Sequence, residues 1–149
     1  MKASEIIKPK LIHGSRKKFP VGFILLPQTD GYVNLPETKE HEDIFEKYRP
    51  EGCLSRSQSV FMLSSTNIDH IDDAGGYNDY IYEVKHRGKI ERNDLAWYSE
   101  ISGLVDLDIN DPELVSIVNN YWNGVRFRNK QNSLWEYRSP SATIIKLIE

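Results

Sequence analysis

Two short stretches near opposite ends of the chain carry residue types that handle nucleotides. Near the start, LIHGSRKKF sets His13, Gly14 and Ser15 in a row at the end of an apolar run. An imidazole can bond a ribose hydroxyl, a glycine leaves its backbone open to a flat amide, and a serine adds a hydroxyl donor and acceptor. Towards the other end, SLWEYRSPSATIIKLI places Glu136 between Trp135 and Tyr137, just before a last apolar run. A carboxylate held there by aromatic residues can accept from a ribose hydroxyl. It can also stabilise the positive charge that develops on a sugar ring as its glycosidic bond breaks. Together His13 and Glu136 suggest the two edges of one nucleotide cleft. Each has a plainer alternative: a strand-end histidine bonded to a loop carbonyl, and a strand-edge glutamate facing water.

A third stretch, SRSQSVFMLSS, contributes Arg56 and Phe61. The planar fork of an arginine suits a phosphate, and a phenyl ring can stack on a flat base or on nicotinamide. The plainer alternatives are a core phenylalanine and a surface ion pair that adds little.

These residues need elements to position them. Five apolar runs read as strands: Lys10–Ser15, Phe23–Pro27, Ser59–Ser65, Asp79–Lys85 and Ala142–Ile148. The clearest helix starts after Asp111, a good N-cap followed by Pro112 and Glu113. Leu114, Ile117, Val118, Tyr121 and Trp122 give it one apolar face, and Gly124 ends it. A shorter helix covers Glu40–Tyr48 and stops before Pro50. The stretches Pro27–Glu40 and Ile71–Tyr80 are rich in turn residues and read as irregular. No repeat, low-complexity tract or domain boundary interrupts the chain, so residues 1–149 read as one α+β domain.

Bulk properties narrow the function classes. The length suffices for a real core. The formal charge is −3, from 19 basic and 22 acidic residues, which gives no support to a nucleic-acid patch that works by charge alone. Cys53 is the only cysteine, so an internal disulfide framework is impossible and no cysteine-ligated zinc site is expected. His41, His70 and His86 have no metal-ligand spacing, and no metal is expected. DLDINDPE, Asp106–Glu113, is acidic but lacks the central glycine of a calcium loop; it reads as a turn with a helix cap. The N-terminus does not resemble a signal peptide and no segment approaches the length of a membrane span. A soluble, cytoplasmic protein without a membrane partner is the expectation.

In their order along the chain, the three stretches resemble the ADP-ribosyltransferase superfamily. LIHGSRKKF is similar to the first motif of the poly-ADP-ribose polymerases, Leu-Trp-His-Gly-Ser-Arg, and LWEYRSPSATIIKLI to the last, where a Glu-Tyr pair leads into a terminal strand. GFILLP and YIYEV resemble strands of the bacterial rifampin ADP-ribosyltransferases. The resemblance implies a split antiparallel β-core with NAD bound between two half-sheets. It gives His13 the adenosine ribose, Gly14 the nicotinamide amide and Glu136 the nicotinamide ribose and the catalytic role, with Ser15 and Arg56 lining the NAD site. The family's stacking tyrosine is replaced by Phe61 if SVFMLSS is that strand; Tyr77 or Tyr80 are the alternatives. Leu134 stands where arginine-directed members carry Glu or Gln, so arginine is not the expected acceptor.

The activity implied is cleavage of NAD, release of nicotinamide and transfer of one ADP-ribose to a macromolecular acceptor, a protein by preference. Small phage and mobile-element proteins of this size often target host factors, and some anti-CRISPR proteins are ADP-ribosyltransferases, so a host protein is a fitting acceptor. Two other readings remain open. RNA 2′-phosphotransferases share the fold and use NAD; Arg56 resembles the arginine of their Arg-x-x-Val-His-Leu-Ser stretch, with Phe61 in place of the histidine. The other is a non-catalytic inhibitor or binding module on the same fold.

Overall fold

The computed structural model describes residues 9–27, 39–72, 76–102, 108 and 110–148. Seven strands form one sheet: β1 (Leu11–Ser15), β2 (Ile24–Leu25), β3 (Val60–Ser64), β4 (Tyr80–Arg87), β5 (Glu91–Asp94), β6 (Trp135–Ser139) and β7 (Ser141–Leu147). Their order is β2-β7-β4-β1-β3-β6-β5, and every neighbouring pair is antiparallel. Helices α1 (Lys39–Lys47), α2 (Ala96–Ser102) and α3 (Pro112–Trp122) join them, with 3₁₀ turns at Arg56–Gln58 and Ser65–His70. The fold is therefore mixed α+β on an antiparallel sheet.

Two junctions in the sheet are short, β2–β7 at its edge and β1–β3 inside it. β1 pairs with β4 along all five of its residues, and β3 pairs with β6 over four. Between β1 and β3 only Leu11↔Ser64 and Ile12↔Leu63 are paired. The sheet thus consists of two parts, β2-β7-β4-β1 and β3-β6-β5, which separate beyond Ile12.

Strand alternation gives each face its own core. On one face, Leu11, Leu25, Met62, Tyr82, Val84 and Ile144 cluster, with Phe19 and Tyr137 packed against them; among the described residues, strands and the loop after β1 supply this packing. The other face is covered in two places. Ile12, Leu63 and Ile81 meet Ile71 and Ile68 beside the Ser65–His70 turn. At the β5–β6 end the helices form their own cluster, with Phe45 of α1, Trp97 and Ile101 of α2, and Val118, Tyr121 and Trp122 of α3.

Helix α3 forms as its sequence predicts. The Asp111 side chain accepts from the Glu113 amide at 2.8 Å, Pro112 occupies the first turn, and Gly124 follows with φ +69°. α1 lies within a residue of its expected bounds, and all five predicted strands are present, although Phe23–Pro27 shortens to two strand residues. The predicted irregular stretch Pro27–Glu40 lies largely outside the described residues, as do parts of Ile71–Tyr80 and Asp106–Glu113.

Three elements escaped the periodicity: β5, β6 and α2. β5 reads ERND and buries its last two residues, Asn93 and Asp94, by hydrogen bonding. Asp94 accepts from the amides of Ala96, Phe127 and Leu134 at 2.9–3.1 Å and from the Ser133 hydroxyl. One carboxylate thereby starts α2 and ties down the approach to β6. β6 reads WEYRS and buries charge on the helix-covered side, so apolar alternation is absent.

Candidate functional site

The sequence-derived candidates gather where β1 and β3 part. His13 stands just past the last β1–β3 pair, and its Nδ1 lies 2.8 Å from the carbonyl oxygen of Phe61. A side chain here takes over from the ladder. The plainer reading of His13 is met in kind, with a strand carbonyl as partner. Phe61 and His13 are both half-buried.

Phe61 packs its ring against the Arg56 guanidinium, 4.9 Å from the ring centroid, while Tyr98 and Tyr121 approach the same group at 4.6 and 5.4 Å. Arg56 is 3 % exposed. Its Nε donates to both carboxylate oxygens of Glu42 at 2.9 and 3.1 Å, and its Nη1 donates to Glu136 Oε2 at 2.8 Å. The expectation of a surface ion pair is corrected: Arg56 bridges two carboxylates below the surface, where leaving one partner out would be costly. Its fork is taken up by Glu42 and Glu136 rather than turned towards solvent.

Glu136 also departs from its expected place. It lies inside β6, paired with Leu63 of β3 and Asn93 of β5, and is 3 % exposed. It precedes the last strand, β7, as expected, but from within a strand of its own, and it does not face water. Its register brings it to the helix-covered face, where the Tyr121 hydroxyl donates to Oε2 at 2.6 Å. Burial pushes the Tyr121 hydroxyl pKa far above its ordinary value; the negative charge of Glu136 and the hydrogen bond to it add to the rise, while Arg56 and Arg138 oppose it. Tyr121 is therefore a standing donor to the carboxylate.

Two residues along β6, and so on the same face, Arg138 is fully buried. It donates to Asn93 Oδ1 at 2.7 Å, to the Leu54 carbonyl at 2.6 Å and to Ser59 Oγ at 3.2 Å, and its guanidinium lies 5.3 Å from the Trp122 ring centroid. Asn93 in turn donates to the Tyr121 carbonyl at 2.7 Å.

Gly14, Ser15 and Tyr77 form a second group, joined to the first through the β1 backbone. A Cβ built on Gly14 would come 1.9 Å from the Tyr77 carbonyl oxygen and 2.9 Å from Ile71 Cγ2. Glycine is required here because the chain's own backbone crosses close over β1. The Tyr77 ring faces Arg16 at 5.0 Å. Ser15 is buried, and its Oγ accepts from the Lys17 amide at 2.9 Å, which shapes the turn after β1. Tyr80, the other stacking candidate, opens β4 and packs against the strand-built core.

Phe61, Arg56 and Glu136 thus form a chain of side-chain contacts on the helix-covered face, while His13, turned by strand alternation to the Leu11–Tyr82 face, joins it only through the Phe61 backbone carbonyl. Glu42, Tyr121, Asn93 and Arg138 belong to the same network and were not singled out from the sequence. Arg138 lies two places after Glu136, but no strand was expected there, so their shared face was not legible. Tyr121 read only as part of an apolar helix face, and Glu42 carried no signal. Among the described residues no group of His, Cys, Asp and Glu could hold a metal ion, and no helix is long and apolar enough to cross a membrane. Comparison with protein-family models, with curated proteins and with solved structures finds no match.

Proposed function

We propose that the protein is an NAD-dependent mono-ADP-ribosyltransferase whose cleft opens where β1 and β3 part. The observation that carries this reading is the two-pair junction between the strands of His13 and Phe61, with His13 bonded to the Phe61 backbone and the Phe61 ring packed on Arg56, which holds Glu136. His13 would hold a ribose and Phe61 would stack on nicotinamide. Glu136, oriented by Arg56 and Tyr121, would stabilise the ribosyl cation as the carbon–nitrogen bond breaks, nicotinamide leaves and an acceptor nucleophile attacks. Arg56 then serves as the holder of Glu136 rather than as a phosphate ligand. A protein acceptor, such as a host factor met by a phage or mobile-element protein, fits the resemblance.

A second reading is a non-catalytic binding module on the same fold. It is favoured by the existing partners of Glu136, which already receives two buried hydrogen bonds, and by the Tyr77 backbone that fills the space over Gly14. The RNA phosphotransferase reading gains least, since Arg56 is committed to carboxylates.

Incubation with NAD separates the first two readings. The enzyme releases nicotinamide, and NAD raises its melting temperature because a ligand bound only by the folded state stabilises it. His13→Ala lowers both effects. No nicotinamide release in the presence of a host lysate, together with no binding in a direct NAD titration, leaves the binding module. With labelled NAD, mass spectrometry of the treated lysate identifies the acceptor.

A further inference from the structure

Charge is divided unevenly between the two parts of the sheet. The chain as a whole carries 19 basic and 22 acidic residues. Residues 9–27, 79–90 and 141–148 contain β1, β2, β4, β7 and the loop after β1. They hold eight of the basic residues and only two acidic ones, Asp79 and Glu83. The other described residues hold nine basic and fourteen acidic residues. Among the described residues a basic part thus stands beside an acidic part, and such a division acts on partners as a local field.

Part of that basic charge shares a face with exposed aliphatic residues. The register sets Lys85 and Ile24 each opposite Thr143, Arg87 opposite Ser141, and Glu83 opposite Lys146. Ile24, Lys85, Arg87 and Lys146 therefore lie on the side away from Leu25, Val84, Ala142 and Ile144, which are core. All four are exposed. Leu26, 59 % exposed, directly follows β2, and Ile145, 39 % exposed, lies in β7 two residues beyond Thr143, the partner of Ile24. Glu83, the acidic residue among the described residues of this face, lies 3.9 Å from Lys146, which remains 61 % exposed. β2 is also one of the two edge strands of the sheet.

We infer that this outer face of β2, β7 and β4 docks an acidic protein segment that carries aliphatic side chains. Charge complementarity selects a negative partner and steers its approach. The uncharged part of the surface selects its chemistry. Single-stranded nucleic acids are held by stacking on exposed aromatic rings, whereas Ile24, Leu26 and Ile145 offer aliphatic contact. Phe23, the nearest exposed ring, is stacked on Phe19 at 4.6 Å. Contiguous exposed apolar residues ringed by charge mark protein contacts. The inference is independent of any NAD chemistry.

A displayed library of random peptides provides the test, with selection on the wild-type protein and counter-selection on Lys85→Glu/Arg87→Glu. The expected enrichment is in peptides that combine Asp or Glu with Val, Ile or Leu. A synthetic copy of an enriched peptide should bind the double variant at least about tenfold more weakly, equivalent to ~1.4 kcal/mol, with the melting curve unchanged. Ile24→Ser should weaken it as well. Should the double variant fold poorly, salt gives a second measure, since added sodium chloride must weaken wild-type binding. Enrichment of basic or aromatic peptides, or no enrichment, overturns the inference. So does salt-insensitive binding, or tighter binding of oligo-dT or of phosphatidylserine vesicles than of the selected peptide.

Discussion

The Tyr121 hydroxyl and the Glu136 carboxylate meet at 2.6 Å, with both residues buried. The contact joins α3 to the middle of β6 and draws the Arg56 guanidinium between them, since Arg56 reaches both groups. Any role for Glu136, catalytic or structural, operates through this arrangement.

Replacement of Glu136 by Gln tests that role directly. The amide keeps the shape but removes the charge facing Arg56, which retains Glu42. A stability loss of about 1–3 kcal/mol is expected, read from denaturant or thermal melts. If Glu136 supports transfer, nicotinamide release per folded molecule should fall by about 10²–10³. A destabilised variant with wild-type turnover would leave Glu136 as a structural residue only.

Alkaline pH should expose the buried phenol. The Tyr121 pKa is raised above the ordinary 10.0, so above about pH 10 the unfolded chain loses this proton while the folded chain keeps it. The unfolded state then binds fewer protons, and stability falls as pH rises. Below that range this residue contributes no pH dependence. Tyr121→Phe should cost about 1–2 kcal/mol at neutral pH and should flatten the alkaline decline. Equal slopes for wild type and variant between pH 10 and the onset of unfolding would contradict the burial argument.

Gly14→Ala should be destabilising whichever function holds. Its Cβ would collide with a backbone carbonyl rather than with a flexible side-chain tip. Displacement of the segment at Tyr77 should cost at least ~2 kcal/mol. Hydrogen exchange localises the damage, with loss of protection expected in β1 and β4 ahead of α3.

Asp94→Asn should be as damaging as many core truncations. Its carboxylate accepts four hydrogen bonds, and an amide can accept through one oxygen only. A loss of about 3 kcal/mol or more is expected. The segment at 127–134 should then gain protease sensitivity before the β1–β4 pairing weakens.

Sequence alone determined the apolar strands and the capped helix, because those elements carry their causes locally. Asp111, Pro112 and Gly124 mark helix ends wherever they fall, and runs such as VFML bury themselves in any sheet. It also supplied the set His13, Arg56, Phe61 and Glu136, which the fold links by contact. Tertiary structure alone decided how those residues face one another. Glu136 became interior because β6 lies between β3 and β5, a pairing for which WEYRS and ERND carry no apolar period. Arg56 became a bridge because α1, distant in sequence from β6, brings Glu42 to it. The division of charge between the two parts of the sheet was likewise hidden in a balanced total. It emerged only when strand order placed β2, β7, β4 and β1 together, since an electric field depends on where charges stand and not on their sum.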